Sequence, residues 1–223
     1  YGLKPKEVAL LADRLDLETG SEEEQKRFGR LLTASERDDA QTPAYAERLM
    51  SAVDVDGFLA YMAAQIVLGN TDWPEQNVKW WRYVGTPDTA LGPRDGRWRF
   101  VMGDSDIGLG YAHSVELDQF QRLANNAAPT ARLFQACLRS PLLRARWEVI
   151  LHEQCAGALH GERTAAVITE LAARMAPEME RHVRRWRRPL SVAKCTGVEE
   201  REHTVLAAPH SPDLVIGRAE HRL

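Results

Sequence analysis

The run DVDGFLAYMAAQIVLGN (54–70) constrains this chain more than any other stretch. Phe58, Tyr61, Met62, Gln65, Ile66 and Gly69 recur at helical spacing. The residues between them are also mostly apolar, so the helix has little solvent face and belongs at the centre of the fold. Gly69-Asn70 supplies the stop, because glycine takes the left-handed conformation that closes a helix. The next segment of chain therefore starts from a buried anchor.

That segment, LGNTDWPEQN (68–77), crowds two acids, a tryptophan, a proline and three amides together. Beyond Pro74 the pattern changes. VKWWRYV (78–84) is aromatic and β-branched and alternates as a strand does. GTPDTALGPRDG (85–96) is turn chemistry throughout. RWRFVMG (97–103) is a second strand, with Trp98, Phe100 and Met102 on one face, and DSDIGLG (104–110) comes directly after it.

A hairpin brings its outer ends together. Asp72 and Asn77, before the first strand, should therefore meet Asp104 and Asp106, after the second. Such hard oxygen ligands suit Mg²⁺ or Mn²⁺, held by one or two carboxylates plus substrate phosphates. No histidine joins the group, which argues against zinc. Gly103, Gly108 and Gly110 flank the acids and allow close backbone approach.

This order matches the logic of phosphoryl transfer in protein kinases. There a catalytic-loop Asp takes the proton of the attacking hydroxyl, an Asn five residues on holds metal, and a later D-F-G Asp holds the metals on the phosphates. Asp72 and Asn77 share that spacing, with Asn70-Thr71 in place of His-Arg, and Asp106-Ile107-Gly108 stands where D-F-G would. Each short pattern alone is weak. The local alternative is that Asp72 starts a turn before Pro74 and that Asp104 and Asp106 are solvated turn residues.

The first fifty residues read as short helices. One starts at Pro5 with Val8, Leu11 and Leu15 on a face. Another starts at Ser21, whose spacing to Glu24 is that of a capping box. A third is opened by Thr42-Pro43. After the hairpin, helices are expected over 116–125, 130–139, 141–159, 162–175, 177–187 and 212–222. The expected fold class is α+β, mostly helical, with one small inserted β-hairpin.

The net charge of −3 gives no reason to expect nucleic acid as a partner. No apolar run approaches the roughly 20 residues of a membrane span. Cys137, Cys155 and Cys195 lack metal-ligand spacing, and the seven histidines are scattered. Trp73, Trp80, Trp81 and Trp98 cluster near the acids, as core packing or as a stacking surface for a base. Arg82, Arg97 and Arg99 share the ribbon, and RHVRRWRR (181–188) is an arginine-rich helix face.

GNTDWPEQNVKWWR together with GRWRFVMGDSDIGLG resembles the CotH kinase family, named for spore-coat protein H. Its members carry an N-x-D-W/R-P-x-x-N segment, an aromatic strand, then a tryptophan-bearing strand ending in D-x-D and glycine. The likeness is specific over 58–110, and a weaker one runs through APEMERHVRRWRRPLSV (176–192).

The resemblance implies an atypical protein-kinase-like fold that uses ATP and Mg²⁺ or Mn²⁺ to phosphorylate Ser or Thr on secreted, coat or surface proteins. It makes Asp72 the catalytic acid–base residue. It makes Asn77 and one or both of Asp104 and Asp106 the metal and nucleotide-phosphate ligands. Two departures stand out. No Gly-rich phosphate loop and no strand-borne lysine precede Asp72, since Lys4, Lys6 and Lys26 lie on helical or polar stretches. Residues 1–223 are thus expected to be a single C-terminal lobe, inactive alone, with the nucleotide-clamping lobe upstream. The aromatic usual before the D-x-D is Gly103 here. The rivals are a non-catalytic coat or surface protein that keeps the fold, and a nucleotide-sugar glycosyltransferase with D-S-D as its metal motif. The latter requires a parallel βαβ unit upstream.

Overall fold

A single 3-10 turn starts at Pro5 (Pro5–Glu7), and two strands follow in place of the expected helix, in the computed structural model, which describes residues 2–186 apart from 112 and 115. β1 (Val8–Ala12) and β2 (Asp16–Thr19) form an antiparallel hairpin. VALLA is too short for its apolar pattern to separate a strand from a helix. Pairing on both sides decides it, with β2 along one edge and a later strand along the other. Ala9 and Leu11 face the core, Val8 and Leu10 are part-buried, and Leu15 lies in the turn at φ 77°. Val8 and Leu11 therefore lie on opposite faces of a strand.

Three helices come next: α1 (Glu22–Arg37), α2 (Pro43–Ala52) and α3 (Val55–Val67). Ser21 occupies the N-cap of α1, but its hydroxyl makes no capping bond. The expected capping box is absent because Glu24 turns instead to Arg82, at 3.1 Å, in a largely buried ion pair. Thr42 does cap α2, its hydroxyl accepting from the Tyr45 N–H at 3.3 Å. α3 buries Phe58, Leu59, Tyr61, Met62, Ala63 and Gln65, the all-round burial that its sequence requires.

β3 (Lys79–Tyr83) and β4 (Arg99–Val101) form the expected hairpin, joined by a 3-10 turn over Thr89–Asp95. It is not an isolated ribbon. β1 docks on β3, giving a four-stranded sheet in the order β2-β1-β3-β4 with every strand pairing antiparallel. The register places Leu11 opposite Trp80 and Trp80 opposite Phe100. That row meets α1 and α3. The Trp80 ring lies 5.1 Å from Phe28 and stacks at 5.6 Å on Phe100, which sits 4.5 Å from Phe58. Met102 does not continue the inner face as expected. β4 ends at Val101, and Met102 is exposed beyond it.

The remaining helices are α4 (Gln119–Ala124), α5 (Pro129–Arg139), α6 (Pro141–Ala156) and α7 (Gly161–Trp186). The Tyr45 hydroxyl of α2 lies 2.9 Å from both the Ser35 and Ala136 carbonyls, tying α1, α2 and α5 together. Arg139 closes the end of α1 by donating to the carbonyls of Ser35, Glu36 and Asp38. α7 runs unbroken through Pro177, in place of the two helices expected there.

The chain divides into two compact units, Tyr1–Gln154 and Cys155–Leu223. The first holds the sheet and α1 to α5; the second holds α7. The fold is mixed α+β and mostly helical. No helix among the described residues is long and apolar enough to cross a membrane. The expected helix at 212–222, the Pro-Leu-Ser at 189–191 within the 176–192 likeness, Arg187, Arg188, Cys195, His203, His210 and His221 lie outside the described residues.

Candidate active site

The site begins at the end of α3. Gly69, at φ 63°, donates to the Ile66 carbonyl at 3.1 Å, and Asn70 donates to the Gln65 carbonyl at 3.2 Å. This is the Schellman closure, and it drops Asn70 into full burial. The Asn70 carboxamide then does three things. Its nitrogen donates to Gln65 Oε1 at 3.0 Å and to the Asp104 carbonyl at 3.3 Å, and its oxygen accepts the Asp72 N–H at 3.2 Å. One buried side chain thus touches the backbone of both acid-bearing loops. Gln65 extends the chain to the Tyr61 hydroxyl, whose pKa burial pushes up to about 12.

The two loops are also zipped together directly. The Leu109 N–H donates to the Leu68 carbonyl at 2.6 Å. The Thr71 N–H and hydroxyl both reach the Ile107 carbonyl at 3.3 Å. Gly108 is the point of closest approach, where a Cβ would sit 3.0 Å from the Leu68 oxygen. A side chain there would force the loops apart, which is a steric reason for glycine.

On this base the four expected residues are placed in two pairs. Asp72 and Asn77 are half-buried, and Asn77 donates from Nδ2 to Asp72 Oδ2 at 2.5 Å. Asn77 sits in left-handed backbone at φ 59°, as asparagine tolerates. Its nitrogen is engaged, so its carboxamide oxygen is the atom left for a ligand. Asp104, at φ 43°, and Asp106 are exposed. A hydrogen bond to Asp106, then the charges of Asp106 and Asp72, hold the Asp104 carboxyl above its ordinary pKa. Asp106 dominates this shift, and the Asp72 charge on the other loop is the smallest of its causes, after desolvation.

The sign of that coupling is testable. A raised folded-state pKa favours the protonated native form, so its stabilisation is present below the ordinary carboxylate range and lost as pH rises through the raised value. Carboxyl carbon NMR on the metal-free protein should show Asp104 titrating high, and Asp106→Ala should move its midpoint down. An unmoved midpoint would break the pairing.

The donor set suits a hard divalent cation. The Asp104 carboxyl is raised beside the like charge of Asp106, where a cation would relieve the repulsion, and Asn77 offers a neutral oxygen. Among the described residues no group of three or more His, Cys, Asp and Glu side chains is arranged to hold a metal ion.

Most of the other residues singled out near the acids are structural. Trp73, Trp80 and Trp98 are buried. Arg82 pairs with Glu24. Burial works against the Asp95 charge, but hydrogen bonds from Arg99 and Arg97 hold its carboxyl well below the usual range. In α7, Arg181 and Arg184 pair with Glu178 and Glu180 along the helix. The all-antiparallel sheet, with a hairpin before the D-x-D, offers no parallel βαβ unit among the described residues.

Sequence reasoning missed the outer support of the loop. Arg122 and Gln119 of α4 hold the Asn70 carbonyl, and Glu75 is held by Arg122 and Asn126. No local pattern announces them, because all lie in ordinary polar stretches.

The family model described as CotH kinase protein matches residues 5–206. No curated protein and no solved structure matches the chain.

Proposed function

The chain belongs to the CotH kinase protein family, and on that footing we propose that it transfers the γ-phosphoryl group of ATP to a Ser or Thr hydroxyl of a coat, surface or secreted protein. The observation that carries this reading is the pairing of Asp72 with Asn77 on one loop, bonded through Asn70 and Thr71 to the loop that bears Asp104 and Asp106.

Asp72 acts as the base. Asn77 fixes its Oδ2, which leaves Oδ1 to receive the acceptor's hydroxyl proton. The hydroxyl oxygen then forms the new bond to the γ-phosphorus, the bond to the β-phosphate oxygen breaks, and ADP leaves with that electron pair. Asp104, Asp106 and the Asn77 oxygen would hold Mg²⁺ or Mn²⁺, which when bound neutralises and orients the phosphates. Positioning of the acceptor and charge stabilisation supply most of the rate. In this reading residues 1–223 serve as the C-terminal lobe, and a separate lobe clamps the nucleotide.

The test is the full-length protein with radiolabelled ATP, Mg²⁺ or Mn²⁺, and casein as a generic Ser/Thr acceptor. Metal-dependent label transfer to protein is the expected result. ATP at 100-fold over its Kd should add about 2.7 kcal/mol of stability, seen as a metal-dependent rise in Tm. Neither transfer nor a rise in Tm would favour a non-catalytic coat or surface protein.

A further inference from the structure

We propose that Arg122 is a positioning residue for the phosphotransfer reaction, acting as a staple that sets the curvature of the loop bearing Asp72. The inference rests on the kinase reading of Asp72. Its guanidinium engages the loop on both sides of that residue. Before Asp72, Nη1 donates to the Asn70 carbonyl at 3.2 Å and Nη2 to the Thr71 carbonyl at 2.8 Å. After Asp72, Nη2 also donates to Glu75 Oε2 at 3.0 Å. Glu75 is held from its other oxygen by Asn126, so the far side of the turn cannot drift from the near side. Gln119 Oε1 takes a further donor from Nη1 at 3.4 Å, and Gln119 Nε2 reaches the same Asn70 carbonyl at 3.3 Å.

Geometry makes arginine the suitable residue. Two adjacent carbonyls and a carboxylate are met by one planar fork whose donors have fixed directions. An ammonium carries the charge but cannot span them. The staple lies on the outer side of the loop, and the Asn70 carboxamide and the Thr71–Ile107 contacts hold the inner side. Asp72 is thereby fixed between two sets of bonds, neither of which uses its carboxylate. Arg122 touches none of the atoms proposed to react. Its effect is on where the Asp72 carboxylate sits relative to Asp104 and Asp106.

The test compares the full-length wild type with Arg122→Ala, Arg122→Lys and Glu75→Gln, with Asp72→Asn as control, in the casein assay and by thermal unfolding. The expected result is a kcat drop of about 10- to 100-fold per folded molecule for Arg122→Ala, as for a base misplaced by an ångström. KM for ATP should hold within about twofold, because uniform binding is untouched. Arg122→Lys should recover only a small part of the loss, and Glu75→Gln should give a smaller drop in the same direction. Unchanged kcat per folded molecule in Arg122→Ala, or full recovery by lysine, overturns the proposal. If Arg122→Ala fails to fold, Glu75→Gln and Arg122→Lys decide it by the same criteria. A wild type that transfers no phosphoryl group overturns the kinase reading and this inference together. An active wild type with normal Arg122 variants overturns only the latter.

Discussion

Asp72→Asn should lower phosphotransfer by about 100- to 10,000-fold, the range that a positioned general base contributes, with little change in Tm. The substitution keeps shape and volume, and the bonds that hold the loop do not depend on the carboxylate. Thr71 still meets Ile107, Leu109 still meets Leu68, and Asn70 still takes the residue-72 N–H. Asn77 Nδ2 would face a carboxamide oxygen in place of a carboxylate oxygen. The loss is confined to the one atom able to take a proton. Rates at saturating ATP, with Tm recorded beside them, give the answer. A variant that transfers phosphoryl groups at the wild-type rate would remove Asp72 from the role assigned to it.

Trp80→Ala should destabilise the protein by about 3–5 kcal/mol, as expected for deleting a large aromatic from a packed core. Trp80 is fully buried on the central strand β3, paired with Leu11 on one side and Phe100 on the other. Phe28 of α1 closes over it. Sheet, α1 and α3 all meet around this ring, so no single neighbour can collapse into the space. Urea unfolding of wild type and variant measures the loss. A cost below about 1 kcal/mol, less than a typical Ile→Val change can reach, would mean that the sheet is not part of the main core. Activity should also suffer, because β3 begins two residues after Asn77.

The parts of the molecule that are legible in the sequence share one property: their signal is local. α3 announces itself by apolar residues on every face and by a glycine stop, and β3 by its aromatic alternation. The meeting of the loops that carry Asp72 and Asp104 can be expected because a hairpin imposes it from neighbouring segments. The features that the sequence conceals depend on distant partners. VALLA becomes a strand because β3, some seventy residues on, offers an edge. Glu24 abandons its capping role because Arg82 is carried beneath it by the sheet. Arg122 reads as a solvated helix residue until its partners, 47 to 52 residues earlier, are brought to it. Local patterns cannot report a contact whose other half is set by tertiary packing.

The hairpin separates two kinds of freedom. Its root carries the acids and is locked by the bonds of Asn70, Thr71 and Leu109. Its tip, residues 85–96, closes upon itself: Asp88 accepts from the Ala90 N–H and donates its own N–H to the Arg94 carbonyl, and Asp95 gathers Arg97 and Arg99. Loop-closure entropy rises only slowly with length, about 0.6 kcal/mol per doubling. Insertions or deletions in this tip should therefore cost little and leave the bonds at its root in place. The tip is where the chain can vary in length while the geometry of its root stays fixed.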